Sequence, residues 1–319
     1  MQRLSALRRD ERGIALVMVI WVLALLSLMA MSFLAEARVE VRRADNLRAH
    51  AEAEALAEAG INIAIARLIA EHGETHPQSW TEAIAGGSVT LTVVDEHGKV
   101  DLNESSPELL TGLLKSAGVP EGMVSSLTQA IVGIRRPSRD PGSQEAEYDK
   151  DPPGSNGSND VRFETIDELL QIQSITPTLY RRIAPLVTVH SVMPVIDPLI
   201  ADARVLAAVP GMDQTELARF LKLRAELAPI LNAPVSSDQA KMRLARERRD
   251  KAMTQLRAAV PQHNSVIRFF LTDDFGSPTF EVIAEATAAQ GAHFRREAIL
   301  RINTGDSTSF QLLEWRRPQ

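Results

Sequence analysis

From Gly13 to Ala35 the chain runs for 23 residues without a charged side chain, and Ser27 and Ser32 are its only clearly polar members. A helix rises about 1.5 Å per residue, so this run spans the roughly 30 Å hydrocarbon layer of a bilayer. Arg3, Arg8, Arg9 and Arg12 precede it. Basic residues stay on the cytoplasmic side, which predicts a cytoplasmic N-terminus and an outward-facing remainder. Three features weigh against a cleaved secretory signal. The run exceeds the usual core of about 7–15 residues, no small-x-small cleavage site follows cleanly, and the helical pattern does not stop.

That pattern continues to about Ala70, with no proline and no glycine before Gly60. Val39, Ala44, Leu47, Ala51, Ala55, Ile61, Ile65 and Leu68 fall near helical spacing between charges such as Arg42, Arg43, Glu52 and Glu58. The prediction is one long helix, hydrophobic first and amphipathic second, needing lipid or a helix bundle and then a globular cover.

These residues resemble a known signal. A basic leader, Gly13, and then Ile14-Ala15-Leu16-Val17-Met18 opening an apolar helix is similar to the class III, type IV pilin-like signal. The resemblance implies cleavage by prepilin peptidase between Gly13 and Ile14, methylation of the new N-terminus, and retention of the helix. Ile14 stands where Phe or Met is commoner. Met18, fifth in the mature chain, stands where most relatives carry Glu. An unpartnered carboxylate in lipid is costly. A subunit that assembles first has no neighbour ahead to pair with, and lack of this Glu is typical of the K-type minor pseudopilin of the type II secretion system.

The rest of the chain is read against that resemblance. Ser88–Val94 is β-rich, and a turn at Glu96-His97-Gly98 with return through Val100–Leu102 predicts a hairpin. Ser106-Pro107-Glu108 opens a helix that stops at Gly118, and another follows over about Met123–Arg135. Thr165 and Glu168 have capping-box spacing. Helices are expected over 178–186, 201–209, 213–227 and 238–260. Strands are expected over 266–271, 279–286, 298–302 and 310–315. The fold class is α+β: a long N-terminal helix, a pilin-like sheet platform and a large inserted all-α domain. Its expected parts are a leader (1–13), the transmembrane half-helix (14–35), the amphipathic helix with the first strands (36–103), the insert (104–260) and the C-terminal strands (261–319). Local phrases resemble the same family: Lys99-Val100-Asp101-Leu102-Asn103, Phe163–Leu169 and Val205–Gly211.

Catalytic chemistry is sparse. There are no cysteines, which excludes disulfides, thiolate metal sites and a cysteine nucleophile. No phosphate-loop, zinc-protease or serine-elbow pattern occurs. His72 and His76, four apart, read as a solvated pair. The net charge of −6 argues against a nucleic-acid footprint as the main surface. The basic stretch Lys241–Arg257 reads as a solvated amphipathic helix. Thus no enzyme is expected.

The one metal candidate is the segment 137–160. Asp149, Asp151, Gly154 and Asp160 occupy positions 1, 3, 6 and 12 of a calcium-type loop, with Pro153 in place of a ligand at position 5. The resemblance also implies calcium in the inserted domain. Its other implications are other minor pseudopilins of the I and J types, the major pseudopilin, prepilin peptidase and inner-membrane lipid as partners. The expected function is a subunit at or near the pseudopilus tip, needed for protein export across the outer membrane, anchored once in the inner membrane with a periplasmic domain. A minor pilin of a type IV pilus and a membrane-tethered helix-hairpin-helix DNA-binding protein are the alternatives.

Overall fold

The structure is a computed structural model and describes residues 4–71, 78–135, 162–231, 238–259, 264–270, 278–303 and 309–316. Helix α1 (Leu4–Ala70) is continuous over 67 residues. Its two halves meet different surroundings. Every residue from 15 to 48 is exposed, whereas Ala49 begins a buried stripe. Ala49, Ala53, Leu56, Ala57, Ile61, Ala64, Ile65 and Leu68 recur every three or four positions, one face of a helix. Within the exposed half, Ser27 Oγ donates to the Leu23 carbonyl at 2.8 Å, so its hydroxyl needs no water.

The stripe packs on an antiparallel sheet. Strands β1 (Gln78–Ile84) and β2 (Gly87–Asp95) form a hairpin. Gly86, with φ +98°, supplies the left-handed turn conformation that a side chain disfavours. After β2 come β3 (Val100–Asp101), α2 (Pro107–Ser116), α3 (Glu121–Ile134), α4 (Pro177–Ile183), β4 (Val187–Thr188), α5 (Ala203–Ala207), α6 (Gln214–Leu231), α7 (Asp238–Ala259) and α8 (Asn264–Ile267). The chain returns to the sheet with β5 (Thr279–Ala288), β6 (His293–Asn303) and β7 (Ser309–Arg316). The strand order is β1-β2-β5-β6-β7. All the helices after α1 therefore lie in sequence between two strands that are neighbours in the sheet.

Two cores result. The sheet's inner face buries Val89, Leu91, Val93, Phe280, Val282, Ala298 and Leu300 against α1. Small residues on the helix let the layers approach. A Cβ on Gly60 would lie 2.7 Å from Val89 Cγ2. The second core gathers Leu109, Leu110, Leu113, Leu127, Leu169, Leu206, Phe220 and Phe270 from the helical region.

Two sequence expectations are corrected. Val100–Leu102 does not return to pair with 88–94. The partners of β2 are β1 and β5, and Val100–Asp101 pairs in parallel with Val187–Thr188. Gly86-Gly87 was the better turn signal, while Asp95 caps a 3-10 turn over Glu96–Gly98 that redirects the chain. Residues 266–270 do not form a strand, and 271 lies outside the described residues. Val266, Phe269 and Phe270 are all buried, an i, i+3, i+4 set that a helical turn can bury on one side. Only Phe270 makes a bridge, to Ile196.

Helix α2 crosses α5 at Gly112, where an added Cβ would sit 1.8 Å from the Ala208 carbonyl oxygen. Gly112→Ala should destabilise the chain by about 1–3 kcal/mol through forced separation of the two helices. Thermal unfolding of residues 36–319, which keep every buried position among the described residues, should show the lower midpoint.

Candidate assembly site

The sequence singles out Gly13, Ile14 and Met18 for processing and assembly. Gly13 and Ile14 lie within α1. Met18 follows one turn on and is 64% exposed, among Leu16, Val17, Val19, Ile20 and Trp21, which are all exposed too. Ala15–Ala70 holds a window apolar enough to cross a membrane, and none of that window is buried by the protein. Exposure of this many large apolar groups in a row requires another apolar phase to cover them. Asp149, Asp151, Asp160, His72 and His76 lie outside the described residues. Among the described residues no cluster of three or more His, Asp or Glu is arranged to hold a metal.

A second set of polar residues went unread in the sequence, at the junction where the helical region leaves the sheet. The phrase Lys99–Asn103 supplies most of them. Lys99 Nζ lies 2.6 Å from Glu96 Oε1 and 2.7 Å from Glu281 Oε2 on β5. Burial alone would lower the Lys99 pKa, but the two carboxylates more than reverse this and raise it. The same pairing holds Glu281 below its ordinary value although burial pushes it up. Val100 and Leu102 point into the helical core. Asp101 is 1% exposed. It accepts from the backbone N–H groups of Asn103 and Glu104 at 2.8 and 3.1 Å, and from Ser191 Oγ and the Val192 N–H, both at 2.9 Å. Burial raises its pKa, and these four donors oppose the rise. Asn103 closes the motif by donating to the Phe163 carbonyl and accepting from the Phe163 N–H at 3.0 and 2.9 Å.

Val192 has φ +55°, a conformation that costs a β-branched residue strain. Asp101 grips its amide, which keeps the turn in that state. Next to it, His190 Nε2 lies 3.0 Å from Glu314 Oε2 on β7, and Arg301 on β6 donates to the His190 carbonyl at 3.0 Å. Thus the helical region is tied to β5, β6 and β7 by polar contacts from Lys99 at its start and His190 in its middle.

His97 completes the junction. Its Nδ1 is 2.8 Å from Asp95 Oδ1, and its carbonyl accepts from the Asp197 N–H at 2.7 Å. Arg249 of α7 donates to Asp197 Oδ2 at 2.6 Å. Burial lowers the His97 pKa, but the Asp95 hydrogen bond and charge, with Asp197 and Glu96, outweigh it and raise the value above 6.5.

The family model described as "Type II secretion system (T2SS), protein K" matches residues 90–192, from within β2 to the strained Val192. Residues 90–192 are therefore similar to a type II secretion system protein K domain. The junction just described falls largely inside it, and its last two residues are the pair that Asp101 holds. A protein of Escherichia coli K12 described as a putative type II secretion system protein K is 24% identical over 209 residues. That similarity covers 57% of this chain and 64% of the relative's length. Among solved structures, the crystal structure of the GspK-GspI-GspJ complex from the enterotoxigenic Escherichia coli type 2 secretion system contains a similar chain. It is 15% identical, with a TM-score of 0.46, covering 89% of this chain and 99% of that one.

The raised His97 pKa makes this junction pH-dependent. A group whose folded pKa lies above its unfolded value contributes its stability fully below the unfolded value, here 6.5, and loses it as pH climbs through the folded value. Unfolding of residues 36–319 in urea should therefore need less denaturant at mildly alkaline pH than at pH 6, about the neutral-to-acid side of an ordinary histidine. His97→Gln should flatten that slope.

Proposed function

We propose that this chain is a minor pseudopilin of the type II secretion system, a non-enzymatic subunit at or near the pseudopilus tip that is needed for protein export across the outer membrane. The observation that carries the reading is the continuity of α1. One continuous helix presents an exposed, uncharged run over residues 15–35 and then packs on a sheet whose β2–β5 connection begins with the segment that the protein K model matches. Lipid covers the exposed half before assembly, and neighbouring helices cover it afterwards. Met18 adds no carboxylate to that surface, which suits a subunit with none ahead of it. The helical region is too bulky to repeat along a narrow filament, which also favours an end position.

On this reading the anchor lies in the inner membrane, the helical region is periplasmic, and the partners are I- and J-type minor pseudopilins, the major pseudopilin and prepilin peptidase. The protein K match favours secretion over a type IV pilus, and a periplasmic domain disfavours DNA binding. The test is intact mass after extraction from membranes. Co-expression with prepilin peptidase should remove residues 1–13 and add a methyl group at Ile14, and Gly13→Val should abolish both changes. A mature terminus near Glu36, or an unprocessed Met1 in the presence of the peptidase, would refute the reading.

Calcium belongs to the same proposal. The candidate ligands Asp149, Asp151 and Asp160 are carboxylates, the donors a hard cation prefers. The described residues on either side of them are held together. Arg135 donates to the Ser105 carbonyl at 2.6 Å, Arg162 pairs with Glu104 at 2.7 Å, and Phe163 is clipped by Asn103. With its ends so fixed, the intervening segment has part of its closure entropy already removed, which lowers the cost of gathering ligands. A ligand that binds only the folded chain adds about 2.7 kcal/mol at 100 times its Kd. Residues 36–319 should melt higher in millimolar calcium than in chelator, and Asp149→Ala with Asp151→Ala should remove the difference. Equal melting temperatures would rule the cation out.

A further inference from the structure

Strand β1 is an open edge of the sheet. Among the described residues only β2 pairs with it. The two-residue turn Ala85-Gly86 joins these strands, which makes Ile84 and Gly87 a pair that exchanges both backbone hydrogen bonds. Such pairs alternate along an antiparallel ladder, so Gln78, Trp80 and Glu82 also turn their backbone groups to β2. The Ala289 N–H donates to the Gly86 carbonyl at 2.7 Å, which puts the β2–β5 ladder in the opposite phase, as this assignment requires. Ser79, Thr81 and Ala83 therefore turn their N–H and C=O groups outward, and all three residues are exposed.

This edge is unguarded. Natural edge strands discourage further pairing with lysine, proline or a bulge. Gln78–Ile84 contains no lysine, arginine or proline, and its register with β2 runs without a shift. The other edge differs, because β7 pairs with β6 across a shift at Ile299/Leu300 and its Glu314 meets His190. Nor do the β1 side chains compete for the outward groups. Thr81 Oγ1 lies 3.1 Å from Thr90 Oγ1, and Ser79 Oγ accepts from Thr92 Oγ1 at 3.1 Å, so both hydroxyls are spent on β2. On the α1 side, the Arg67 guanidinium lies over the Trp80 ring at 4.5 Å and donates to Gln78 at 3.2 Å. Ile63, one turn before Arg67 on the same side of α1, is 37% exposed. With the half-buried Trp80 and Ile84 it lines one side of the place a next strand would take.

We infer that β1 accepts one further strand, an extended and proline-free segment of a different, soluble chain. Main-chain hydrogen bonds to Ser79, Thr81 and Ala83 would hold it, and apolar residues at alternate positions would face Ile63 and Trp80. The position selects a soluble partner. Arg67 stands about 48 Å along α1 beyond Ala35, the end of the uncharged run, so β1 is reached from the aqueous phase. A second copy does not fit. Pairing β1 with β1 about a twofold axis would run the two α1 helices in opposite directions, and both could not then be anchored in one bilayer. The open edge is a property of the sheet and does not depend on the pseudopilin reading.

The experiment uses the full chain in detergent micelles and, as probe, a synthetic peptide of alternating valine and threonine with lysine at each end. Amide deuterium exchange at Ser79, Thr81 and Ala83 should slow at least about tenfold when the peptide is added, because their N–H groups gain acceptors. The same peptide with every amide N-methylated should give no protection. Thr81→Pro removes one outward N–H and leaves the β1–β2 ladder whole, a substitution that edge strands tolerate. It should keep the melting temperature of the chain and lose the protection at positions 79 and 83. Thr81→Val loses the same hydroxyl but keeps the N–H, and it should bind the peptide like the original chain. No protection, equal protection by the methylated peptide, or unchanged binding by Thr81→Pro would overturn the inference. Protection of these amides without peptide, together with a doubled particle mass, would overturn it in favour of a second copy.

Discussion

A single buried ammonium group sets the relation between the two halves of the protein. Lys99 sits between Glu96 and Glu281, two carboxylates that belong to different ends of the inserted region. Moving three charges out of water is expensive, and only close contact among them offsets the cost. Any tilt of the helical region that lengthened these contacts would leave an uncompensated carboxylate, so the junction resists such motion. Asp101, with its four donors, applies the same constraint a few residues later and fixes a strained turn at Val192. The direction in which the helical region projects is thus an electrostatic consequence of one short phrase.

The long helix, the sheet-forming C-terminal segments and the helical interruption between them were legible in the sequence, because each depends on periodicity. Gly13–Ala35 and the stripe after Ala49 show it best, as do the β5 residues that alternate in burial. The junction was not legible. Lys99, His97, Asp101 and Asn103 act through partners as far as 182 residues away, and no local pattern encodes such a partner. Strand β1 escaped notice for a different reason. It is an edge strand with Thr81, Glu82 and Ser79 among its residues, so its apolar alternation is weak, although the Gly86-Gly87 turn marked it. The second core was half legible: Leu109, Leu110, Leu113 and Leu114 announce a buried helix face, but nothing in them says that Gly112 must admit the Ala208 carbonyl.

Helix α1 has to satisfy two incompatible environments without a break. It does so by changing side-chain size. Its outer half carries large groups such as Trp21, Leu23 and Phe33, which lipid accommodates at any angle. Its inner half carries Ala53, Ala57, Gly60 and Ala64, which let the backbone come down onto the sheet. The approach at Gly60 leaves no room for a methyl group, so anchor and platform move as one body.

The placement of β2 beside β5 governs the order in which the chain can fold. These central strands pair along nine positions, yet the whole helical region separates them in sequence. Closing so long a loop before anything else forms carries an entropic penalty that few early contacts could offset. Once the helices have packed, however, Asp95 and Thr279 emerge near one another, and the effective loop is short. A helical region that packs first would act as a template for the strands, and on that order the sheet that holds the anchor would be completed last.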